Sequence, residues 1–435
     1  MELSFWAATD VGLKREANED NFLVDKKLSL FIVADGMGGH ASGEVASEIA
    51  VHEFRNTVDA SREVIERFAA ADPTVRPQDI LSILEQAIQA AGHAIFNRGQ
   101  SEPEKRGMGT TTSALLIVGD RGFIAHVGDS RIYLLRRGQV VQLTEDHSLI
   151  NELVRRGKIP KDGIENSPYK AYKNAVTRAV GVYESVQSDT IDFEILSGDQ
   201  FLLCSDGLHG YLDDAKTIDL LSQDDITQAP KRFVDLANAA GGQDNITAVV
   251  VRIDPASPGA AATAADDRAE ELQRKIDVLK QMPMFRHLTY KEIIRVLNVT
   301  EVKEFVPGQP LIREGMSGEE MFILLTGKVR VHKNDAFITF LLPGSHIGEM
   351  ALVDRSPRST SVTAEEPSRL LILRRREFYE IVRKDPSLSV KLLWSFVQVL
   401  ADRLRKTTAE LSGARLEANA QDLTDDVLFD EERRK

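Results

Sequence analysis

The residues with the most chemistry to offer are acids placed at the ends of apolar runs. Asp35 and Gly36 follow Phe31 to Ala34 inside the glycine-rich turn DGMGGH, and Asp206 and Gly207 follow the run FLLCS in the same way. Phe123 to Val127 leads into Gly128-Asp129-Ser130, Asp244-Asn245 stand before a β-branched run, and Asn18-Glu19-Asp20 lie near the start. One such acid is an ordinary turn residue. A set of them, each at the edge of a strand, asks for a further reason. If the fold gathers them, each like-charged pair at about 4 Å costs on the order of 4 kcal/mol at an effective dielectric near 20, so cations must neutralise them. An all-oxygen donor set with no Cys or His cluster suits hard ions, Mg²⁺ or Mn²⁺. Two such ions lower the pKa of a shared water and hold hydroxide in line with an electrophile, which is a route to phosphoester hydrolysis. Arg15 would then match two phosphate oxygens bidentately.

A second constellation lies far along the chain. Gly348-Glu349-Met350-Ala351-Leu352, followed by Pro357-Arg358-Ser359, reads as a glycine-led turn into a short helix and then a cation. Backbone N–H groups at such a start bind an anion, and Arg358 adds a full charge. Glu349 cannot bind phosphate, but it can accept a hydrogen bond from a ribose hydroxyl. Taken alone, a surface Glu and Arg on a β-rich domain reads equally well.

The elements that must position these residues fall into two halves. A chain of 435 residues suggests two or three domains at roughly 150 residues each. Apolar runs at Phe31–Ala34, Ser113–Val118, Asp199–Cys204 and Asn245–Ile253 read as strands, and Glu44–Val58 and Ile80–Asn97 as helices. Composition shifts at Asp254–Asp267 (DPASPGAAATAADD), an interdomain linker. The apolar spacing of Leu272, Ile276 and Leu279 marks a helix, read either as a connector or as a signalling element. Phe305 to Leu373 is dense in short strands. Helical periodicity resumes at Arg376, breaks at Asp385-Pro386 and runs to about Leu416, leaving the acidic stretch Asp422–Lys435 as a frayed end.

Composition excludes several classes. A net charge of −13 argues against nucleic acid as principal ligand. No apolar run reaches the roughly 18 to 20 residues that span a bilayer, and the first residues have no secretory pattern. Cys204 is the single cysteine, which excludes a disulfide framework and suits a reducing cytoplasm, the expected location. A cysteine-phosphatase loop needs an arginine where this chain has Gly210, so Cys204 reads as a buried strand residue. No GxxxxGK[ST] loop supports kinase chemistry.

In order, GLKREANEDN (Gly12–Asn21), DGMGGH (Asp35–His40), GMGTTTSALL (Gly107–Leu116), HVGDSRIYLL (His126–Leu135), LTEDHS (Leu143–Ser148), LLCSDGL (Leu202–Leu208) and GGQDNIT (Gly241–Thr247) resemble the motifs of bacterial metal-dependent type 2C (PPM) Ser/Thr protein phosphatases. The resemblance covers almost all of residues 1–253. It implies an α-β-β-α sandwich with two or three Mg²⁺ or Mn²⁺ ions at one edge, acting on phosphoserine and phosphothreonine proteins, the targets of a Ser/Thr kinase. By that likeness Asp35, Asp206 and Asp244 ligate the first ion. Asp35 and the Gly36 carbonyl serve the second, with Glu19 and Asp20 on its waters. Asp129 with Asp206 forms a third site, and Arg15 holds the substrate phosphate. Asp146 reads as a loop cap or as a catalytic residue, and Thr110–Thr112 as strand-start and turn residues rather than ligands. Where some relatives have a histidine after the DG pair this chain has Met37; His40 reads as a residue at the helix start or as the general acid. The basic segment Ile150–Arg178 takes the place of the family's variable flap, read as a solvated loop or as a phosphoprotein-docking surface.

From about Met284 to Leu411, FVPGQPLIREGMSGEEMFILLTGKVRV with the later GEMAL and PRS elements resembles the cyclic nucleotide-binding domain, a β-roll with flanking helices. The likeness implies that Glu349 holds the ribose 2′-OH and Arg358 the cyclic phosphate. Gly348, Ala351 and Ser359 make backbone or hydroxyl contacts, Leu352 lines the sugar and base, and cyclic AMP is favoured over cyclic GMP. The expectation for the whole chain is therefore an α+β protein in four parts: a phosphatase domain (1–253), a linker and connector helix (254–283), a cyclic nucleotide-binding domain (284–411) and an acidic tail (412–435). It is expected to be a metal-dependent phosphatase regulated by cyclic nucleotide. The alternative is a nucleotide-sensing scaffold, against which the intact set Arg15, Asp35, Asp206 and Asp244 speaks.

Overall fold

The computed structural model describes residues 2–38, 42–160, 163–164, 167–222, 225–254 and 260–432. The chain divides into two compact units, Met1–Glu270 and Glu271–Lys435.

In the first unit the strands are β1 (Leu3–Asp10), β2 (Asp20–Asp25), β3 (Leu30–Met37), β4 (Gly109–Thr110), β5 (Thr112–Val118), β6 (Arg121–Val127), β7 (Arg131–Arg136), β8 (Gln139–Gln142), β9 (Asp189–Glu194), β10 (Gln200–Cys204) and β11 (Ile246–Ile253). They form two sheets, β1-β11-β10-β7-β8 and β2-β3-β5-β6-β9, with β4 paired to β3. The helices are α1 (Ser42–Ala60), α2 (Arg62–Ala69), α3 (Pro77–Ser101), α4 (Leu149–Arg155), α5 (Asp206–His209), α6 (Asp214–Leu221) and α7 (Ala229–Ala239).

The period-two alternation of strand side chains builds the layers. On β3, Leu30, Ile32 and Ala34 join a core with Phe54 of α1 and Leu84, Ile88 and Ala91 of α3. Phe31 points the other way, its ring 5.6 Å from Phe5 of β1 in the facing sheet, and Phe193 of β9 meets Phe201 of β10 across the same gap at 5.9 Å. Beyond the second sheet, Leu202, Cys204, Ile246, Ala248 and Val250 pack on Leu208, Leu221, Phe233 and Ala237 of α5, α6 and α7. The order is helices, sheet, sheet, helices, which is the α-β-β-α sandwich expected. The starts of these helices are written locally: α3 opens with Pro77 and with Asp79 accepting from the Arg76 N–H at 2.7 Å, both favourable at an N-terminus.

In the second unit, α8 (Ala260–Gln281), which begins in the first, buries Leu272, Ile276 and Leu279, the positions the spacing selected. After α9 (Tyr290–Leu297) come β12 (Glu301–Phe305), β13 (Pro310–Ile312), β14 (Glu320–Thr326), β15 (Val329–Lys333), β16 (Ala336–Leu341), β17 (His346–Ile347), α10 (Met350–Val353), β18 (Ser361–Ala364) and β19 (Ser368–Arg374). Two sheets, β12-β19-β14-β17 and β13-β18-β15-β16, enclose a core of Ile312, Phe322, Leu324, Val329, Val362, Leu370 and Ile372. Two helices close the unit, α11 (Arg375–Lys384) and α12 (Pro386–Glu432). The break between them falls at Asp385, which is held extended before Pro386 and whose own Oδ1 accepts the N–H groups of Ser387 and Leu388 at 3.0 Å. The frayed end expected from Asp422 is helical backbone through Glu432.

Candidate active site and nucleotide pocket

The acids picked from sequence arrive at one place because the strands that carry them end at one edge of the sandwich. Arg15, Glu19, Asp35, Gly36, Asp129, Asp206 and Asp244 all line a single cavity of about 600 Å³. Asp35 lies near the end of β3, Asp129 follows β6, Asp206 follows β10 and Asp244 precedes β11. Asp20 is not on that lining. It is buried, its Oδ2 accepts from Ser205 Oγ at 2.7 Å and Thr247 Oγ1 at 2.6 Å, and its Oδ1 has no hydrogen-bond partner.

The electrostatics are those of crowded carboxylates. Burial raises Asp35 well above the ordinary carboxylate range, and the charges of Asp20, Asp206, Asp129 and Asp244 raise it further. Burial and Asp244 raise Asp206. Asp129 is pushed up to about 7 by burial and by Asp206 and Asp146, and burial likewise lifts Asp20 to about 7 against its two hydroxyl hydrogen bonds. Arg15 relieves part of this repulsion by pairing with Asp244 Oδ2 at 2.6 Å, while its side chain stays half exposed. Among the described residues no three carboxylates or imidazoles already stand as ligands around one point. The donor set nevertheless fits hard divalent cations: it is all oxygen, its members repel one another, and a positive charge among them would lower every raised pKa together.

Several residues that hold the site were not found from sequence. Asn245 donates from Nδ2 to the carbonyls of Val11 and Ala17 at 2.9 Å, and its Oδ1 accepts the Glu19 N–H at 2.8 Å, so the loop bearing Arg15 and Glu19 is tied to β11. Thr111 Oγ1 accepts the Asp35 N–H at 2.9 Å and Thr110 Oγ1 donates to the Asp35 carbonyl at 2.9 Å. These threonines clamp the peptide of Asp35, a role that the expectation of strand-start residues left unspecified. Glycines allow the backbones to meet: a Cβ on Gly36 would stand 2.1 Å from the Gly43 carbonyl oxygen, and one on Gly207 would stand 2.0 Å from that of Asn245. The Asn245, threonine and Gly207 contacts join segments far apart in the chain, so no local pattern announces them, and the Gly36 contact depends on α1 packing back against the end of β3.

Other candidates resolve differently. Asp146 is held by two hydrogen bonds from Arg131, at 2.8 and 2.6 Å, and its carbonyl accepts from Asn151 Nδ2 at 2.8 Å. It ties β7 to the start of α4. Although burial opposes ionisation, the hydrogen bonds and charge of Arg131 bring its pKa below the ordinary value. Cys204 is fully buried in β10 and burial pushes its thiol up to about 12, which leaves no thiolate for nucleophilic chemistry. His40 lies outside the described residues.

In the second unit Glu349, Ala351 and Leu352 are buried at α10, and Ser359 is exposed. Gly348, at φ +80°, adopts the left-handed turn that favours glycine. The Arg358 guanidinium donates to the carbonyls of Glu320 at 2.7 Å and Gly348 at 3.3 Å. Glycines stand against it: a Cβ on Gly318 or on Gly348 would come within 2.5 Å of its nitrogens. Burial lowers its pKa from the usual arginine value. The turn thus holds a largely buried cation on two carbonyls, 3.6 Å from the Glu320 carboxylate and beside the buried Glu349 carboxyl.

Comparison with known proteins finds two family matches, one in each half of the chain. The family model for protein phosphatase 2C matches residues 14–249, and that for the cyclic nucleotide-binding domain matches residues 302–385. The chain is 40% identical over 247 residues to the serine/threonine phosphatase stp of Listeria innocua, spanning 56% of this chain and 93% of that protein. It is 33% identical over 298 residues to the serine/threonine protein phosphatase PstP of Mycobacterium tuberculosis, spanning 65% of this chain and 54% of that one. Among solved structures, the crystal structure of the M. tuberculosis phosphatase PstP/Ppp superimposes with a TM-score of 0.51 at 34% identity, covering 58% of this chain and 99% of that one.

Proposed function

Since the chain belongs to the protein phosphatase 2C family, is a serine/threonine protein phosphatase and carries a C-terminal cyclic nucleotide-binding domain, we propose that cyclic nucleotide bound at Glu349 and Arg358 sets the rate of a metal-dependent hydrolysis of phosphoproteins at the carboxylate pocket. The observation that carries the catalytic part is the convergence of Asp35, Asp129, Asp206 and Asp244 on one cavity with Arg15 at its side.

Asp35, Asp206 and Asp244 would hold one Mg²⁺ or Mn²⁺, Asp35 and the Gly36 carbonyl a second with Glu19 and Asp20 on its waters, and Asp129 with Asp206 a third. Bound there, the ions supply a water acidic enough to attack phosphorus at neutral pH. The chain's own residues orient the ester. Arg15 can leave Asp244, once that carboxylate is neutralised, and pair two phosphate oxygens of a phosphoserine or phosphothreonine. Thr110, Thr111 and Asn245 fix the backbone so that the reacting groups keep their separation. The substrates are cytoplasmic phosphoproteins, targets of a Ser/Thr kinase.

In the second unit the cyclic phosphate would replace the carbonyls of Glu320 and Gly348 as partner of Arg358, and Glu349 would accept the ribose 2′-OH. Cyclic AMP is the favoured ligand. A ligand changes activity only by binding one state of the protein better than another, and a coupling of about 1 to 3 kcal/mol appears as a roughly 5- to 150-fold change in rate or affinity. The test is phosphopeptide hydrolysis by the full chain with Mn²⁺, with and without saturating cyclic AMP, beside Arg358→Leu. A response in the parent that disappears in the variant supports the reading; equal rates in all four conditions refute the coupling.

A further inference from the structure

A second cavity of about 530 Å³ adjoins the carboxylate pocket and shares Asp129, Asn174, Asp206 and Asp244 with it. Ile150 and Val154 of α4, Tyr211 just beyond α5, and Lys173 line the part that extends past the acids. Its wall is held to the catalytic edge by backbone hydrogen bonds: Leu149 N–H to the Ala175 carbonyl at 2.8 Å, Thr177 N–H to that of His147 at 2.7 Å, and His147 N–H to that of Gly128 at 2.7 Å. The position of Lys173 and Asn174 is therefore fixed relative to the Gly128-Asp129 turn.

Charge narrows what the cavity fits. The cations of this region are largely engaged: Arg131 with Asp146 at 2.6 Å, Arg155 with Glu145 at 3.3 Å, Arg156 with Glu152, and Arg178 with Asp189 at 3.0 Å. Among the described residues Lys173 has no ion-pair partner, and it is exposed on the cavity. Arg131 on the same lining is paired with Asp146 and Arg15 in the adjoining pocket with Asp244, so Lys173 is the lining cation that no carboxylate engages among the described residues.

We propose that this cavity is a peptide subsite that selects the sequence around the phosphorylated residue: an apolar side chain packs on Ile150, Val154 and Tyr211, and a carboxylate on the same flank pairs with Lys173. The inference rests on the phosphatase reading and deepens it by naming the substrate class, an acidic-hydrophobic phosphopeptide. Continuity carries it. A phosphoserine whose phosphate reaches Arg15 has backbone leaving the carboxylate pocket, and this cavity opens directly from that pocket with a wall that does not need to form on binding.

The test uses the full chain with Mn²⁺ and p-nitrophenyl phosphate, which has no flanks, beside phosphoserine peptides with leucine and aspartate, leucine and lysine, or only glycine on each flank in turn. The leucine-aspartate peptide should exceed the leucine-lysine peptide by about 10-fold in kcat/KM on one flank. Lys173→Glu should invert that order while leaving p-nitrophenyl phosphate hydrolysis unchanged. Val154→Asp should reduce the advantage of leucine over glycine, and if it does not fold, the exposed Lys173→Glu still decides. Hydrolysis of p-nitrophenyl phosphate with equal kcat/KM for all peptides overturns the subsite alone. No hydrolysis of any substrate overturns the phosphatase reading and the subsite with it.

Discussion

Gly36→Ala is a sharp test of how the catalytic edge is assembled. Gly36 follows Asp35, its N–H donates to the Glu19 carbonyl at 3.1 Å, and its Cα lies against the first turn of α1. A Cβ there would stand 2.1 Å from the Gly43 carbonyl oxygen and 2.6 Å from that of Glu19, both backbone atoms that cannot swing aside. Restoring an ordinary contact near 3.4 Å moves the end of β3 and the start of α1 apart by more than 1 Å. A displacement of about 1 Å among reacting groups costs on the order of 100-fold in rate, about 3 kcal/mol of activation free energy. Overpacking adds a loss of about 1 to 3 kcal/mol in stability. The assay is kcat/KM on a phosphoserine peptide at saturating Mn²⁺, with a urea melt of the same protein. Gly92→Ala is the control, because its nearest neighbour would be Val180 Cγ1 at 3.7 Å and it lies inside α3, where alanine should leave activity intact and add about 0.5 to 1 kcal/mol. Parent-like activity and melting in Gly36→Ala would refute the reasoning.

The raised carboxylates predict an inverted pH dependence for metal-free protein. Asp20 stands at about 7 against an ordinary 3.8, so its contribution to stability is full below pH 4 and is lost as pH rises through 7, about 4 kcal/mol in all. In EDTA, Asp20→Asn should match the parent at pH 4 and exceed it by several kcal/mol at pH 7; an equal difference at both pH values in urea melts would contradict this. Asp199→Ala should cost about 3 to 5 kcal/mol, because Arg136, paired to it at 2.8 and 2.6 Å and almost fully buried, is left uncompensated. A urea-melt loss below about 1 kcal/mol would show that the pair is not doing that.

What could be read from sequence was whatever repeats locally. Continuous apolar runs marked Phe31–Ala34 and Ser113–Val118 as strands, and helical spacing marked the buried face Leu272, Ile276 and Leu279. The strand-end acids were visible because turns place polar residues after apolar runs, and their arrival at one cavity followed from the likeness to known phosphatases. Asn245 as the brace of the Arg15 loop and the threonine clamp on Asp35 were not visible, since each depends on partners brought together by sheet pairing, and the closeness of Gly36 to Gly43 depends on how α1 packs against the end of β3. The basic segment 150–178 showed its charge but not its pairing, and only the structure separates the engaged arginines from Lys173. The helix through Glu432 ran past an acidic stretch whose composition argued for an end.

The central claim is that the converging carboxylates act through divalent cations, and the most direct measurement is phosphoserine-peptide hydrolysis by the full chain freed of metal with EDTA and then titrated with Mn²⁺. The account predicts negligible rate before the titration, saturable recovery with Mn²⁺, and recovery lower by orders of magnitude in a folded Asp35→Asn variant. Full turnover in excess EDTA, or an Asp35→Asn variant as active as the parent, would contradict it.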